Sequence, residues 1–223
     1  PSISVNETSQ SIFTYHLPKS SEETFSYNIN YHFNKDGRWY DMDKIHDDNT
    51  LSEHGFVSSV PYKDGFIVSW LDGRNTYGKG DHGHAKGAMT LRSAVIGSDG
   101  NVDKRSLVDD MVCDCCQTSM TVSQGIPIVV YRDRTKGEIR DISFSRYIDQ
   151  KWTEPQPIHE DGWKINGCPV NGPNIDSYTN GKSALLLRDG TGIKSTHVLD
   201  NVYSEALKSK YSAIYRTSEQ YKS

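Results

Sequence analysis

The chain has 223 residues, 25 Lys and Arg against 29 Asp and Glu, a formal charge of −4, and 35% hydrophobic residues with 18 Gly and 8 Pro. That composition belongs to a globular chain rather than a disordered one, and no run approaches the roughly 18 apolar residues that a membrane-spanning helix needs. No basic stripe stands out apart from a short stretch at 208–210, which reads as a solvated face, so nucleic acid is not expected as a partner.

The predicted elements are extended throughout the repeat region. An alternating run with Ile29 and Tyr31 leads into the turn Asp36-Gly37-Arg38-Trp39, and a strand rich in small residues follows at Phe56-Val57-Ser58-Ser59-Val60. An apolar strand at 66–70 closes on Trp70-Leu71-Asp72. The same sequence of features then recurs. The turn Asp99-Gly100-Asn101-Val102 precedes the strand Thr118-Ser119-Met120-Thr121-Val122, and residues 126–131 close on Tyr131-Arg132-Asp133. A further alternating run with Ile142 and Phe144 enters Asp149-Gln150-Lys151-Trp152; Asn174-Ile175-Asp176 and Leu187-Arg188-Asp189 complete the series.

The turns are 63 and 50 residues apart and the strand ends 61 and 56, so the repeat unit is about four antiparallel strands in 50 to 60 residues, near the size of a propeller blade. The fold class is therefore all-β, a β-propeller of four-stranded antiparallel blades. Blade units are expected at 9–52, 53–112 and 113–167, with an incomplete one at 168–192, so that 1–192 forms a partial propeller. Residues 193–223 read as a polar tail, with a possible helix at 204–215. Because propellers usually close with four to eight blades, the chain is expected to be a piece of a larger ring.

The strings Ser52-Glu53-His54-Gly55-Phe56-Val57-Ser58, Trp70-Leu71-Asp72-Gly73-Arg74, Cys113-Asp114-Cys115-Cys116-Gln117-Thr118, Tyr131-Arg132-Asp133-Arg134 with Glu138-Ile139-Arg140-Asp141, and 163–173 resemble the bacterial sialidase-like (exo-alpha-sialidase, BNR Asp-box repeat) propellers. The resemblance covers 9 to about 190. It implies a six-bladed ring with Asp-box turns, here degenerate. The turns themselves are structural, because Asp-Gly favours a tight hairpin and Trp supplies buried area. The resemblance also implies arginines that hold a substrate carboxylate, a Tyr nucleophile and a catalytic acid. Arg74, Arg132, Arg134 and Arg140 are the candidate substrate-binding arginines, with His54 beside them, and each could equally make a structural ion pair. Glu53, Asp72 and Asp133 are the candidate catalytic acids. Tyr77, Tyr131 and Tyr147 are available as nucleophiles, although no spacing separates them from packing aromatics.

Cys113, Cys115 and Cys116 precede one inner strand and Cys168 the next. Four cysteines permit three pairings. A Cys116–Cys168 disulfide between blades is the preferred expectation and suits an exported protein, while a soft-metal site of Cys113, Cys115, Cys116 and Cys168, or buried thiols, remain alternatives. The loop 75–88 holds four Gly with His82 and His84, a second place for a metal or for a sugar hydroxyl.

Two functions follow. One is a sialidase-like glycoside hydrolase acting on a terminal acidic sugar. The other is a noncatalytic propeller that binds a glycan, metal or protein on the same face. Neither requires a cofactor, and a bound metal ion is an option.

Overall fold

The computed structural model describes residues 1–19, 25–76 and 87–177, together with the backbone of Lys182–Asp189 and Gly192–Leu199. Four antiparallel sheets account for the regular structure. Sheet one orders β1 (Ser2–Val5), β2 (Ser11–Pro18), β3 (Tyr27–Lys35) and β4 (Arg38–Lys44). Sheet two orders β5 (His54–Tyr62), β6 (Gly65–Asp72), β7 (Met89–Ile96) and β8 (Val102–Val112). Sheet three runs through β9 (Ser119–Ser123), β10 (Ile126–Arg132) and β11 (Ile142–Ile148), which pairs with both β12 (Lys151–Trp152) and β13 (Gln156–Pro157). Sheet four holds β14 (Asn174–Ser177), β15 (Lys182–Asp189) and β16 (Gly192–Leu199). The all-β blade architecture expected from the repeat is present, and no helix occurs among the described residues.

The sheets overrun the expected limits at both ends. β1 lies ahead of residue 9, where the first unit was placed, and β16 falls in the stretch read as a polar tail. The expected helix at 204–215 lies outside the described residues.

Each sheet is joined to the next by a separate apolar layer. Ile12, Ile29, Tyr31 and Phe33 of sheet one meet Phe66, Val68 and Trp70 of sheet two. Ile67, Leu71 and Leu91 meet Val129, Tyr131 and Tyr147 of sheet three. Ile128, Val130 and Ile142 then meet Ile175 of sheet four. β6 is buried along its whole length because it is covered on both faces, which explains its unbroken apolar sequence. The innermost strands β1, β5, β9 and β14 lie side by side, in contact pair by pair. Their small side chains allow that approach. Ser59 Oγ contacts the hydroxyls of Ser2 and Ser4, Ser58 Oγ lies 2.9 Å from Thr118 Oγ1, and Ile175 N donates to Ser119 Oγ at 3.2 Å.

The repeated turns hold the hairpins by left-handed backbone. Asp36 and Gly37 have φ of 53° and 77°, and Asp149 and Gln150 have 49° and 62°, the pair of positive angles that matches strand twist. Gly100 is positive for the same reason, and a Cβ there would stand 2.6 Å from the Phe33 ring. The two turn tryptophans differ, which corrects the expectation that both are buried. Trp152 pairs with Tyr147 in the second apolar layer, and its Nε1 donates to Ser93 Oγ at 2.7 Å. Trp39 pairs with Asn34, on the face of sheet one turned away from Phe33 and sheet two, and is 50% exposed.

Candidate functional site at the axial mouth

Antiparallel pairing puts the start of each inner strand beside the end of the strand that follows it. His54 at the head of β5 therefore pairs with Asp72 at the tail of β6. In sheet three, β9 begins just after the cysteines and β10 ends at Arg132, whose carbonyl accepts from Cys113 N at 3.0 Å. This one face of the sheets gathers residues 53–54, 72–74, 113–117, 132–140 and 168–172, most of the candidates read from the sequence.

In sheet two the face is occupied by a closed ionic network. Arg74 donates through Nε and Nη2 to the two Asp72 oxygens at 2.8 Å each, and reaches Asp47 at 2.8 Å and Asp48 at 3.3 Å. Trp70 Nε1 also donates to Asp72, at 2.8 Å. His54 Nε2 lies 2.8 Å and His46 Nδ1 3.2 Å from the same Asp48 oxygen, and the two buried rings stack at 4.0 Å. Burial alone would raise the Asp72 and Asp48 carboxyls. Hydrogen bonds from Arg74 to Asp72, and from His46, His54 and Thr50 to Asp48, outweigh it and hold both below the usual carboxylate range. His46, Asp48 and His54 are close enough to share a metal ion. Lys19 Nζ, 3.0 Å from His54 Nδ1, and Arg74 already supply positive charge there. That makes the cluster an ion-paired brace.

Sheet three places different chemistry at the equivalent position. Arg132 is buried, donates to the carbonyls of Asn171 at 2.9 Å and Arg140 at 2.6 Å, and lies over the Trp163 ring. Arg134 bonds Glu138 Oε1 and Asp114, while Arg140 bonds Glu138 Oε2 at 2.7 Å and directs Nη1 to Cys113 Sγ at 3.2 Å. All four candidate arginines thus have internal acceptors. Asp133 accepts from Ser143 Oγ, and burial together with the neighbouring Asp109 pushes its carboxyl up to about 6. Tyr131 donates to Asp109 at 2.6 Å; burial first, then Asp109, raises its phenol, and no substrate can reach it. Tyr147 packs between Tyr62 and Trp152.

The disulfide expectation is corrected by one position. Cys115 bonds Cys168, while Cys113 and Cys116 are free and buried. Asp114 and Cys115 lie in a turn ahead of β9, where adjacent side chains take different directions, so spacing alone could not choose between Cys115 and Cys116. The approach of the two segments is tight, since a Cβ on Gly172 would stand 1.9 Å from Gln117 O. His82, His84 and Tyr77 lie outside the described residues.

Glu53 is the acid left outside these networks. It lines a groove of about 260 Å³ with His16, Tyr27, Phe56, Val57 and Gln117, at the mouth between β1, β5 and β9. Burial, then the charge of Asp114, pushes its carboxyl up to about 7. Phe56, with φ of 54°, sits in a bulge of β5 and gives the groove an aromatic wall. Another cavity, of about 290 Å³, opens at the opposite strand ends near Tyr62 and Gly97; of the candidate residues it is lined by Tyr147 alone, without a candidate acid or arginine beside it. Sequence reasoning did not pick out Asp48, Asp114 or Glu138. The non-repeating stretch His46-Asp47-Asp48 and the acid inside the cysteine run were the available signals.

No protein-family model and no curated protein sequence matches the chain. Among solved structures it is similar to the fucose-specific lectin of Aleuria aurantia, a six-bladed β-propeller, with 12% identity and a TM-score of 0.54 over 86% of this chain and 54% of the lectin. It is also similar to an endo-arabinase from Bacteroides thetaiotaomicron, with 14% identity and a TM-score of 0.50 over 91% of this chain and 76% of the enzyme. These likenesses establish the fold as β-propeller. The chain spans about half the length of the lectin.

Proposed function

We propose that the protein is a glycoside hydrolase-like propeller that receives a glycan in the axial groove, with Glu53 as its general acid. The observation that carries this reading is the contrast between two neighbouring carboxyls. Burial pushes the Glu53 carboxyl up to about 7, while Asp114 is committed to Arg134 Nη1 at 3.2 Å. Glycosidases need such a division, one carboxyl protonated near neutrality to donate to the leaving oxygen and a second, charged one to meet the oxocarbenium-like centre. Tyr27 and Phe56 offer apolar surface for a sugar ring, and Gln117 a polar edge.

In this reading Asp72 and Asp133 support the face rather than react. The sialidase-like option, a terminal acidic sugar, needs a guanidinium for the substrate carboxylate; at Arg74, Arg132, Arg134 or Arg140 the sugar would have to displace an internal acceptor. The reaction requires no cofactor. The Cys115–Cys168 bond supports an exported location, where disulfides persist. A second reading, glycan binding without turnover, draws support from the closed Arg74–Asp72 network, which leaves those groups in a bracing role.

The test is turnover by the protein on fluorogenic sialoside, arabinofuranoside and fucoside substrates, with glycan-array binding alongside. Loss of about 100-fold or more in Glu53→Gln with array binding retained is the expected result. Binding without turnover favours the second reading. Neither binding nor turnover on any of these glycans sinks both.

A further inference from the structure

The glycan chemistry leaves two cysteines of this face unused. Cys113 and Cys116 have Cys-x-x-Cys spacing, their sulfurs lie 3.3 Å apart, and the residues are 0% and 2% exposed. Arg140, itself 1% exposed, aims Nη1 at Cys113 Sγ from 3.2 Å, and its buried Nε has no partner among the described residues. Hydrogen bonding from Cys116, then from the Cys115 backbone and Arg140, outweighs burial and favours the thiolate of Cys113. The nearby carboxylates are engaged elsewhere, Asp114 with Arg134 and Glu138 with both Arg134 and Arg140. The third sulfur of the cluster, Cys115, is bonded to Cys168.

We propose that Cys113 and Cys116 form a two-thiolate site for one soft monovalent metal ion, Cu(I), with Arg140 as its buried counter-charge. Thiolate sulfur selects soft ions. Charge is compatible with a monovalent ion. Two thiolates and a monovalent ion leave one negative charge beside the Arg140 guanidinium, which reaches both Cys113 Sγ and Glu138. Ligand number agrees, because structural zinc takes four ligands and the described residues offer only these two uncommitted sulfurs. Binding releases the remaining thiol protons, and the sulfurs part slightly to admit the ion between them.

The experiment uses the full chain under anaerobic conditions, with thiols counted after denaturation and Cu(I) presented in competition with bicinchoninate. One Cu(I) per chain should leave the chelator for the protein, and none for Cys113→Ser or Cys116→Ser. Because those variants remove buried groups, Arg140→Gln is the second probe; with native near-ultraviolet circular dichroism it should lose about 10-fold in Cu(I) affinity. Three results would overturn the site: countable thiols that leave Cu(I) on the chelator, stoichiometric Zn(II) taken up instead, or recovery of Cys113 and Cys116 as a disulfide. Unchanged Cu(I) affinity in folded Arg140→Gln would remove the counter-charge argument.

Discussion

The tail of β6 and the tail of β10 occupy the same place in successive sheets, yet they are built from opposite electrostatics. At the first, Asp72 and Asp48 are held as carboxylates by Arg74, His46 and His54. At the second, Asp133 is half-buried near Asp109 and accepts from Ser143 Oγ and the Arg134 backbone N–H, while the neighbouring arginines turn to carbonyls, Glu138 and a cysteine sulfur. A repeated backbone position therefore fixes where a side chain stands and leaves its chemistry free. The repeat identified the face; only the unrepeated neighbours decide what each acid does there.

The largest effect should come from the link between sheets three and four. Cys115→Ser opens a cross-link spanning 53 residues, and chain entropy predicts a loss of about 4 kcal/mol in denaturant unfolding of the oxidised protein. Asp72→Asn should follow at about 3 kcal/mol, because it removes the buried carboxylate charge that Arg74 pairs with and leaves one amide oxygen, with an NH2 beside it, for donors that now share two oxygens; Asp133→Asn should be much milder, and equal losses would erase the contrast between the two tails. Trp152→Ala should cost about 2 kcal/mol, set against less than about 0.5 kcal/mol for the exposed Trp39→Ala.

A subtler separation is the dependence on pH. Glu53 and Asp133 have folded pKa values raised from 4.5 to about 7 and from 3.8 to about 6. Their contribution is fully present below the ordinary values and is lost as pH rises through those windows. Asp72 and Asp48 are lowered from 3.8, so their contribution is present above that value and is lost as pH falls below it. Unfolding measured from pH 3 to 8 should show the fall between about 3.8 and 7 shrink in the Glu53→Gln, Asp133→Asn double variant, with the part from Asp109, which burial also raises, and the acid-side loss both remaining. An undiminished fall in that variant would contradict the assignment.

Much of the fold could be read because alternation and turn chemistry are local. Ile29 and Ile142, or Ser58 and Thr118, take their positions from a period of two and from crowding at the axis. The site was harder to read because its contacts are not local. Asp48 meets His54 only after a non-repeating connection, Asp114 faces Glu53 across two sheets, and the choice of Cys115 over Cys116 depends on side-chain direction. Trp39 was misread because a period-two pattern reveals that two faces alternate, and does not reveal which of them has a neighbour.

The bulge at Phe56 carries a consequence of parity. Between Gly55 and Ser58 the inner strand takes three steps while its partner takes two, from Leu71 to Ser69. The side chains ahead of that point are thereby one step out of phase with those behind it. Both residues border the groove, but Glu53 couples to Asp114 while the His54 ring nitrogens meet Asp48 and Lys19. Deleting a single residue here, with the downstream pairing retained, would exchange their directions, sending the Glu53 carboxyl into the ionic brace and taking the imidazole away from Asp48. One supernumerary amino acid thus keeps proton donor and brace on their separate sides of the strand.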